Sequence, residues 1–206
     1  MIEYYNEDCM VGMARYPDKH FALAIVDPPY GIGEDGGRFR DRKGGGHRVL
    51  SKKSWDKERP SIEYFRELQR VSQNQIVWGG NYFADKLPAS RCWLYWQKLM
   101  GGDFSDGELA WTSFDKVVKE FTHCNKYPGK IHPTQKPVAL YKWLLANYAK
   151  PGDLILDTHV GSASSLIACY DLGFDAVGFE LDEDYYRESA ERLEQHKSQL
   201  NLFIDL

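Results

Sequence analysis

Residues 21 to 30 read Phe-Ala-Leu-Ala-Ile-Val-Asp-Pro-Pro-Tyr, an apolar run that ends in an acid, two prolines and an aromatic residue. The run predicts a buried parallel strand over residues 21–26, because it is apolar on both faces. Each proline keeps the residue before it out of the helical region, so we expect Asp27 at the carboxyl end of the strand. The chain around it is predicted to form an α/β fold.

The turn Asp27-Pro28-Pro29-Tyr30 combines a carboxylate, an acceptor carbonyl and a flat ring. Pro28 has a carbonyl but no N–H, so the turn mainly offers acceptors. These groups suit a planar heterocycle with an exocyclic amine, whose hydrogens would go to Asp27 and the Pro28 carbonyl while the ring stacks on Tyr30. For four residues alone, a proline turn with an exposed acid is the alternative interpretation.

Length and composition favour one α/β domain over residues 1–206, with a sheet covered on both faces. No run of about 18 apolar residues occurs, and the first residues lack a basic segment followed by an apolar core. We therefore expect neither a membrane span nor a signal peptide, and a cytoplasmic location. Cys9, Cys92, Cys124 and Cys169 show no CxxC spacing, so neither a disulfide framework nor a bound metal is expected.

The formal net charge is −4, but cations are concentrated in one segment. Residues 38–59 contain nine Lys or Arg against three acids, and residues 31–60 contain seven glycines with almost no apolar periodicity. We expect 31–60 to be a mobile basic loop that contacts nucleic-acid phosphates, although a solvated loop without function is the alternative. The candidate phosphate contacts are Arg38, Arg40, Arg42, Lys43, Arg48, Lys52 and Lys53.

Alternating apolar runs and turn residues predict the remaining elements. A first strand, residues 2–6, would place Asp8 at its carboxyl end, the edge where open α/β sheets bind ligands. Residues 109–112 and 117–121 are predicted to close the sheet as an antiparallel pair. The other predicted strands are 75–80, 91–96, 154–157 and 176–180, and the predicted helices are 10–15, 61–71, 138–149, 164–172 and 182–199.

A nucleoside-binding βαβ unit is indicated between residues 154 and 180. A strand ends in Asp157, a turn of small residues leads into a helix, and Glu180 ends the next strand, 23 positions after Asp157. Small residues let the backbone approach a ligand, and Glu180 can accept both ribose hydroxyls. The GxGxxG pattern is absent, because residues 161–164 keep only its first glycine. Ordinary packing of a helix on a strand is the alternative.

Taken together, Asp27 to Tyr30, the run His132-Pro133-Thr134-Gln135-Lys136-Pro137, residues 157–162 and Glu180 resemble the amino-methyltransferases of DNA. The catalytic motif precedes the cofactor motif, the order of the β group of adenine-N6 and cytosine-N4 methyltransferases. The resemblance covers nearly the whole chain. It implies a Rossmann-like, seven-stranded, mostly parallel sheet with helices on both faces and an antiparallel hairpin, and S-adenosylmethionine as methyl donor.

The resemblance also implies roles for individual residues. Asp157, His159, Gly161 and Ser162 would hold the methionine part of the cofactor with help from Thr134, Gln135 and Lys136. Glu180 and Leu181 would lie at the ribose, and Asp8 and Cys9 along the cofactor adenine. Asp27, Pro28, Pro29 and Tyr30 would receive a target base flipped out of double-stranded DNA, with Asp27 also bordering the cofactor.

Two departures from the family pattern affect these expectations. His159 stands where the family usually has phenylalanine, and Ala163 stands where it has a second glycine. Only about ten residues separate the last predicted strand from His132, where family members often insert a target-recognition domain. We therefore expect little or no separate recognition domain. Three alternatives stay open for sequence specificity: it rests on the 31–60 loop, it rests on a partner chain, or it is loose.

The predicted activity is methyl transfer to the exocyclic N6 of adenine in DNA by base flipping. Four alternatives stay open at this point: cytosine-N4 methylation, methylation of RNA adenine, methylation of protein glutamine, and a catalytically silent nucleic-acid-binding subunit. An Asp at position 27 leans towards adenine, while glutamine methylation typically uses Asn there. The choice between a homodimer and a partner subunit, and the biological role in restriction and modification, also stay open.

Overall fold

The apolar run of residues 21–26 forms a strand at the centre of the sheet, as predicted. The computed structural model describes residues 1–35, 53–99, 105–125 and 129–204. Its strands are β1 (Ile2–Asn6), β2 (Phe21–Val26), β3 (Ser72–Trp78), β4 (Trp93–Gln97), β5 (Gly107–Thr112), β6 (Lys119–Thr122), β7 (Leu154–Asp157) and β8 (Asp175–Glu180). Its α-helices are α1 (Cys9–Met13), α2 (Ile62–Val71), α3 (Val138–Tyr148), α4 (Ser164–Leu172) and α5 (Glu183–Ile204), and Gly80–Phe83 form a short 3₁₀ helix.

The described strands form one mostly parallel sheet in the order β1-β8-β7-β2-β3-β5-β4-β6. Strand β2 pairs in parallel with β3 on one side and with β7 on the other. Strand β5 is antiparallel to both of its neighbours, β3 and β4. The α/β class and the mostly parallel sheet are thus confirmed, with eight described strands where seven were expected.

The prediction that residues 109–112 pair with residues 117–121 is wrong. Strand β5 lies between β3 and β4, so both of its hydrogen-bonding edges are already filled. Strand β6 therefore pairs with the remaining edge of β4, in parallel, with Trp96 opposite Phe121. Val117 and Val118 precede β6 and are exposed.

Both faces of the central strands are buried, which explains why β2 is a continuous apolar run. Leu23 and Ile25 pack on one face, in the cluster that includes residues of α3 and α4. Ala24 and Val26 pack on the other face, in the cluster that includes Met13 of α1 and residues of α2. In the described part of the chain, no helix is both long enough and apolar enough to cross a membrane.

The order of the strands sets the place of the functional site. Strands β7 and β2 are neighbours, and the chain leaves β7 towards β8 and β2 towards β3, in opposite directions along the sheet. Connections that diverge in this way leave a crevice at the carboxyl ends of the strands. Asp27, Asp157 and Glu180 all lie at or just beyond the carboxyl ends of their strands, and therefore at this edge.

Replacing Leu156 with alanine should lower the free energy of unfolding by about 2–5 kcal/mol. Leu156 is fully buried in the central strand β7, so truncation removes apolar contacts and leaves a cavity. Urea denaturation followed by circular dichroism measures the change. The matched control is Val118→Ala at an exposed valine, for which we expect a change within about 0.5 kcal/mol. Equal effects of the two variants would contradict the assigned core.

Candidate active site

A cavity of about 1020 Å³ opens at the carboxyl edge of the sheet, beside the crevice between β7 and β2. Its wall combines the turns after β1, β2, β7 and β8 with the segment 132–136 and residues 53–61. Three of the predicted site residues, Pro28, Tyr30 and Asp157, lie outside its lining. The predicted residues that line it are Asp8, Cys9, Asp27, Pro29, Lys53, Thr134, Gln135, Lys136, His159, Gly161, Ser162, Glu180 and Leu181.

Glu180 is held rigidly at the end of β8. One carboxylate oxygen accepts a hydrogen bond from the Gly161 amide at 2.8 Å, and the other accepts one from the Asp182 amide at 2.9 Å. Gly161 has a φ of 55°, a left-handed conformation that favours glycine. Burial raises the pKa of Glu180, against the lowering effect of the backbone donors. The carboxylate is therefore oriented on the cavity wall before any ligand arrives.

Asp157 lies buried behind the cavity and organises the turn that follows β7. Its side chain accepts a hydrogen bond from the Ser165 hydroxyl at 2.5 Å and one from the His159 amide at 3.0 Å. Burial raises its pKa from the ordinary 3.8 to about 7. Ala163, where the family has glycine, has a φ of 60° at the start of α4, a strained conformation for alanine.

His159 behaves as an uncharged aromatic residue. Its ring packs edge-on against Tyr64, with 5.4 Å between ring centroids, and its Nδ1 lies 2.9 Å from the Thr158 hydroxyl. Burial lowers its pKa from 6.5 to about 4, so the ring is neutral at pH 7. A neutral flat ring is a physical substitute for the phenylalanine usual in the family. Tyr64, which also bonds Thr158, was not recognised from the sequence.

The segment 132–136 forms another part of the wall, where the His132 ring lies next to Gly161. The His132 ring lies between Trp55 and Tyr185, with centroid separations of 5.1 and 4.4 Å, and burial lowers its pKa to about 3. Gln135 is buried and accepts a hydrogen bond from the Ile131 amide. Thr134 bonds the His132 ring at 3.2 Å. His132, Thr134 and Gln135 thus build a packed wall of neutral side chains.

Lys53 is predicted to contact phosphate, but in the structure it forms ion pairs with Asp182 and Asp184 at 2.9 and 2.7 Å. These contacts tie residues 53–56 to the start of α5, beside the cavity. The other predicted phosphate contacts, Arg38, Arg40, Arg42, Lys43, Arg48 and Lys52, lie outside the described residues.

The turn after β2 brings Asp27 to the cavity with two donors on its carboxylate. The Tyr30 hydroxyl donates to one oxygen at 2.6 Å, and the Lys136 ammonium donates to the other at 2.5 Å. The Tyr30 ring stacks on Tyr82, with centroids 4.8 Å apart, and packs against Gly79. A side chain at Gly79 would overlap the Tyr30 ring, so this glycine permits the close approach.

Glu108 belongs to no sequence motif and, like Tyr64, was not recognised from the sequence. Glu108 of β5 lies 2.9 Å from the Lys136 ammonium and also contacts Lys98. Burial alone would raise the pKa of Glu108, but Lys136 and Lys98 outweigh it and hold the value at about 2. Burial raises the pKa of Asp27 despite the opposing effect of Lys136. Only the pairing of β5 beside β3 brings Glu108 to the site.

A mostly parallel sheet with this switch point, and a cavity at its carboxyl edge lined by Asp27 and Glu180, are typical of an α/β enzyme that binds a nucleoside-containing ligand. A family model described as DNA methylase, covering N6 and N4 methyltransferases, matches residues 77–191. The match spans more than half of the chain. The chain belongs to this family of DNA methyltransferases.

Individual relatives agree with the family. YubD of Escherichia coli, named as a methylase, is 27% identical over 94% of this chain and 90% of its own length. A type II methyltransferase of Streptococcus pneumoniae is 31% identical over 72% of this chain, which spans about half (52%) of that protein. The solved M1.HpyAVI–SAM complex matches with a TM-score of 0.63 at 17% identity, covering 94% of this chain and 99% of that one. The PvuII DNA methyltransferase, described as cytosine-N4-specific, matches with a TM-score of 0.63 at 14% identity over 97% and 91%.

The cofactor of this enzyme is S-adenosylmethionine, and the cavity fits it. Its volume is at the upper end of small-ligand sites, which run to about 1,000 Å³. Glu180 presents a fixed carboxylate that would suit ribose hydroxyls, and Gly161 has no side chain to fill the adjoining space. Asp8, Asp27 and Glu180 line the cavity with carboxylates, which suit a sulfonium cation.

Replacing Asp157 with asparagine should flatten the dependence of stability on pH. The folded protein keeps the Asp157 proton up to about pH 7, while an unfolded chain loses it near pH 4. Folded molecules therefore bind more protons between these values, so the contribution of this group to stability falls as pH rises from about 4 to 7.

Urea denaturation at pH values across that window measures the effect. We expect the free energy of unfolding to decline less with rising pH in Asp157→Asn than in the unmodified protein, because asparagine has no proton to lose. Asp115→Asn, at an exposed surface carboxylate, is the control and should leave the decline unchanged. Identical pH profiles for all three proteins would show that Asp157 has an ordinary pKa.

Proposed function

We propose that this DNA methyltransferase methylates the exocyclic N6 of adenine after the base has been flipped out of the duplex. One observation carries the proposal: Asp27 lines the same cavity as Gly161 and Glu180. A base bound at Asp27 and a cofactor bound at Glu180 would share one cavity. This shared cavity supports direct transfer between them.

On the cofactor side, we assign Glu180 to the ribose hydroxyls and the turn through Gly161 and Ser162 to the methionine part. Thr134 and Gln135 would contact that part from the segment 132–136, and Asp8 and Cys9 would border the cofactor adenine. Leu181 and His159 supply apolar and neutral surface beside it. When bound, S-adenosylmethionine supplies an electrophilic methyl group on a sulfonium.

On the base side, Asp27 and the Pro28 carbonyl would accept the two hydrogens of the target amine. The amine is a poor nucleophile because its lone pair is delocalised into the ring. Two acceptors favour a pyramidal nitrogen whose lone pair points towards the methyl group, and positioning supplies much of the remaining acceleration. Bound S-adenosylmethionine would supply the methyl group and leave as a neutral thioether. The methylated amine would give up its proton to Asp27 or to water, so Asp27 need not be a strong base.

Tyr30 is the proposed aromatic partner of the flipped base. Its ring is stacked on Tyr82 with 16° between the ring planes, so the two rings form a stacked pair beside Asp27. Stacking of a base on an aromatic side chain contributes about 1–3 kcal/mol. The basic segment of residues 36–52, together with its described neighbours, is the proposed contact to the DNA backbone within a single domain. A homodimer or a partner subunit and a cytoplasmic location stay predictions.

Cytosine-N4 methylation is the second candidate. A cytosine presents the same kind of exocyclic amine to Asp27 and the Pro28 carbonyl, and the PvuII enzyme of similar fold is described as cytosine-N4-specific. Incubating the protein with labelled S-adenosylmethionine and unmethylated bacterial genomic DNA, then digesting to nucleosides, separates the two products. We expect label in N6-methyldeoxyadenosine. Label in N4-methyldeoxycytidine alone would favour the second candidate. Unlabelled DNA together with label in a parallel RNA sample would refute both.

Replacing Asp27 with alanine should reduce methyl transfer by at least about a hundred-fold, because the variant loses the charged acceptor for the amine. Cofactor affinity, measured by titration calorimetry, should be retained. Asp115→Ala, at an exposed carboxylate far along the chain from the turn, is the matched control and should keep full activity. Full activity in Asp27→Ala would refute the proposed role.

A further inference from the structure

The Lys136 ammonium is buried between two carboxylates from different parts of the sheet. Its side chain is only 2% exposed, and its nitrogen lies 2.5 Å from Asp27 and 2.9 Å from Glu108. The Tyr30 hydroxyl lies 3.2 Å away. The cation also lies 5.6 Å from the centroid of the Tyr30 ring and 5.5 Å from that of Trp78. Carboxylates and rings thus enclose the ammonium beneath the catalytic turn.

Glu108 extends this contact into a line of alternating charges. Its second oxygen contacts the Lys98 ammonium, so the order is Lys98, Glu108, Lys136 and Asp27, with a net charge of zero. All four side chains are less than a fifth exposed. Breaking such a buried pair by removing one partner leaves an uncompensated charge, so each member depends on its neighbours.

Asp27 depends on this arrangement for its charge state. A carboxylate that is mostly removed from water tends to take up a proton unless a cation lies close by. A protonated Asp27 would lose acceptor capacity and present an O–H, so it would serve a target amine less well. A lysine side chain is long and flexible, so its ammonium needs a second contact to stay in one place. Glu108 supplies that contact and restrains the Lys136 ammonium beside Asp27, on the base side of the cavity.

We propose that Lys136, restrained by Glu108, is a positioning residue for methyl transfer that keeps Asp27 ionised and oriented towards the target amine. The inference rests on the proposed function and deepens it. It gives Lys136 a role at the base rather than the cofactor contact that family resemblance implies. It also brings in Glu108, a residue of β5 outside every motif.

The charges around Asp27 determine the direction in which each substitution should shift the pKa of Asp27. Lys136 lowers the pKa of Asp27, Glu108 raises it, and the Tyr30 hydroxyl lowers it by donating a hydrogen bond. Asp157 interacts with Asp27 electrostatically from the neighbouring strand. Removing the Lys136 charge should therefore raise the pKa of Asp27, and removing the Glu108 charge should lower it. A merely structural role would not produce opposite shifts.

The experiment is a carbon-13 NMR titration of the carboxyl groups in the full chain without DNA, with Asp27→Asn identifying the signal. In Lys136→Met we expect the Asp27 midpoint to rise by about 1–3 pH units, and in Glu108→Gln to fall. Lys136→Arg keeps the charge and should return the midpoint towards that of the unmodified protein. Lys142→Met, which removes a surface ion pair with Asp171, is the matched control and should leave it unchanged.

Cofactor binding, measured by calorimetry with S-adenosylmethionine, separates the two roles of Lys136. We expect Lys136→Met to bind within about three-fold of the unmodified protein, a difference below 1 kcal/mol. An unmoved Asp27 midpoint in both variants overturns the proposal, and so does a loss of cofactor affinity of tenfold or more without such a movement. If Lys136→Met does not fold, the Asp27 midpoint in Glu108→Gln tests the proposal: a lower midpoint supports it, and an unchanged midpoint overturns it. Failure of the proposed adenine activity would leave these measurements unaffected, because neither uses DNA.

Discussion

The parallel pairing of β2 with β7 is the constraint on which the functional part of the structure depends. It sets Leu23 beside Ile155 and Ala24 beside Leu156, so the turns after both strands emerge at one edge. The connections from these strands run in opposite directions along the sheet, which opens the crevice between them. Residues separated by more than a hundred positions in sequence become walls of one cavity as a result.

Three acids at this edge are withdrawn from water, and each is stabilised in a different way. Two backbone amides hold Glu180, while a backbone amide and a hydroxyl hold Asp157. An ammonium and a phenol hold Asp27. Burying a carboxylate costs free energy unless hydrogen-bond donors compensate it. These donors therefore explain how the fold tolerates three buried acids at this edge. Of the three, Asp27 is the acid whose carboxylate bonds a cation, Lys136.

The parts of the fold that the sequence predicted correctly rest on local signals. The strand of residues 21–26 follows from its apolar run, and the helix of residues 164–172 matches its prediction to the residue. The turn of residues 158–163 follows from small residues between an acid and a helix. The errors are long-range: β6 was assigned to β5, whereas it pairs with β4 because β5 is already flanked on both edges. Propensities do not encode which edge of a sheet is free.

By itself, the sequence determined the α/β class, the two motifs and the chemistry that each motif can perform, because those depend on residue types at short spacing. Tertiary structure alone decided that Asp157 lies behind the cavity while Glu180 lines it, that the Tyr30 ring stacks on Tyr82, and that Lys136 bonds Asp27. It also brought Glu108 into the site from a strand without a motif. The physical reason is that an ion pair between distant residues depends on strand order and burial, which no local pattern of side chains specifies.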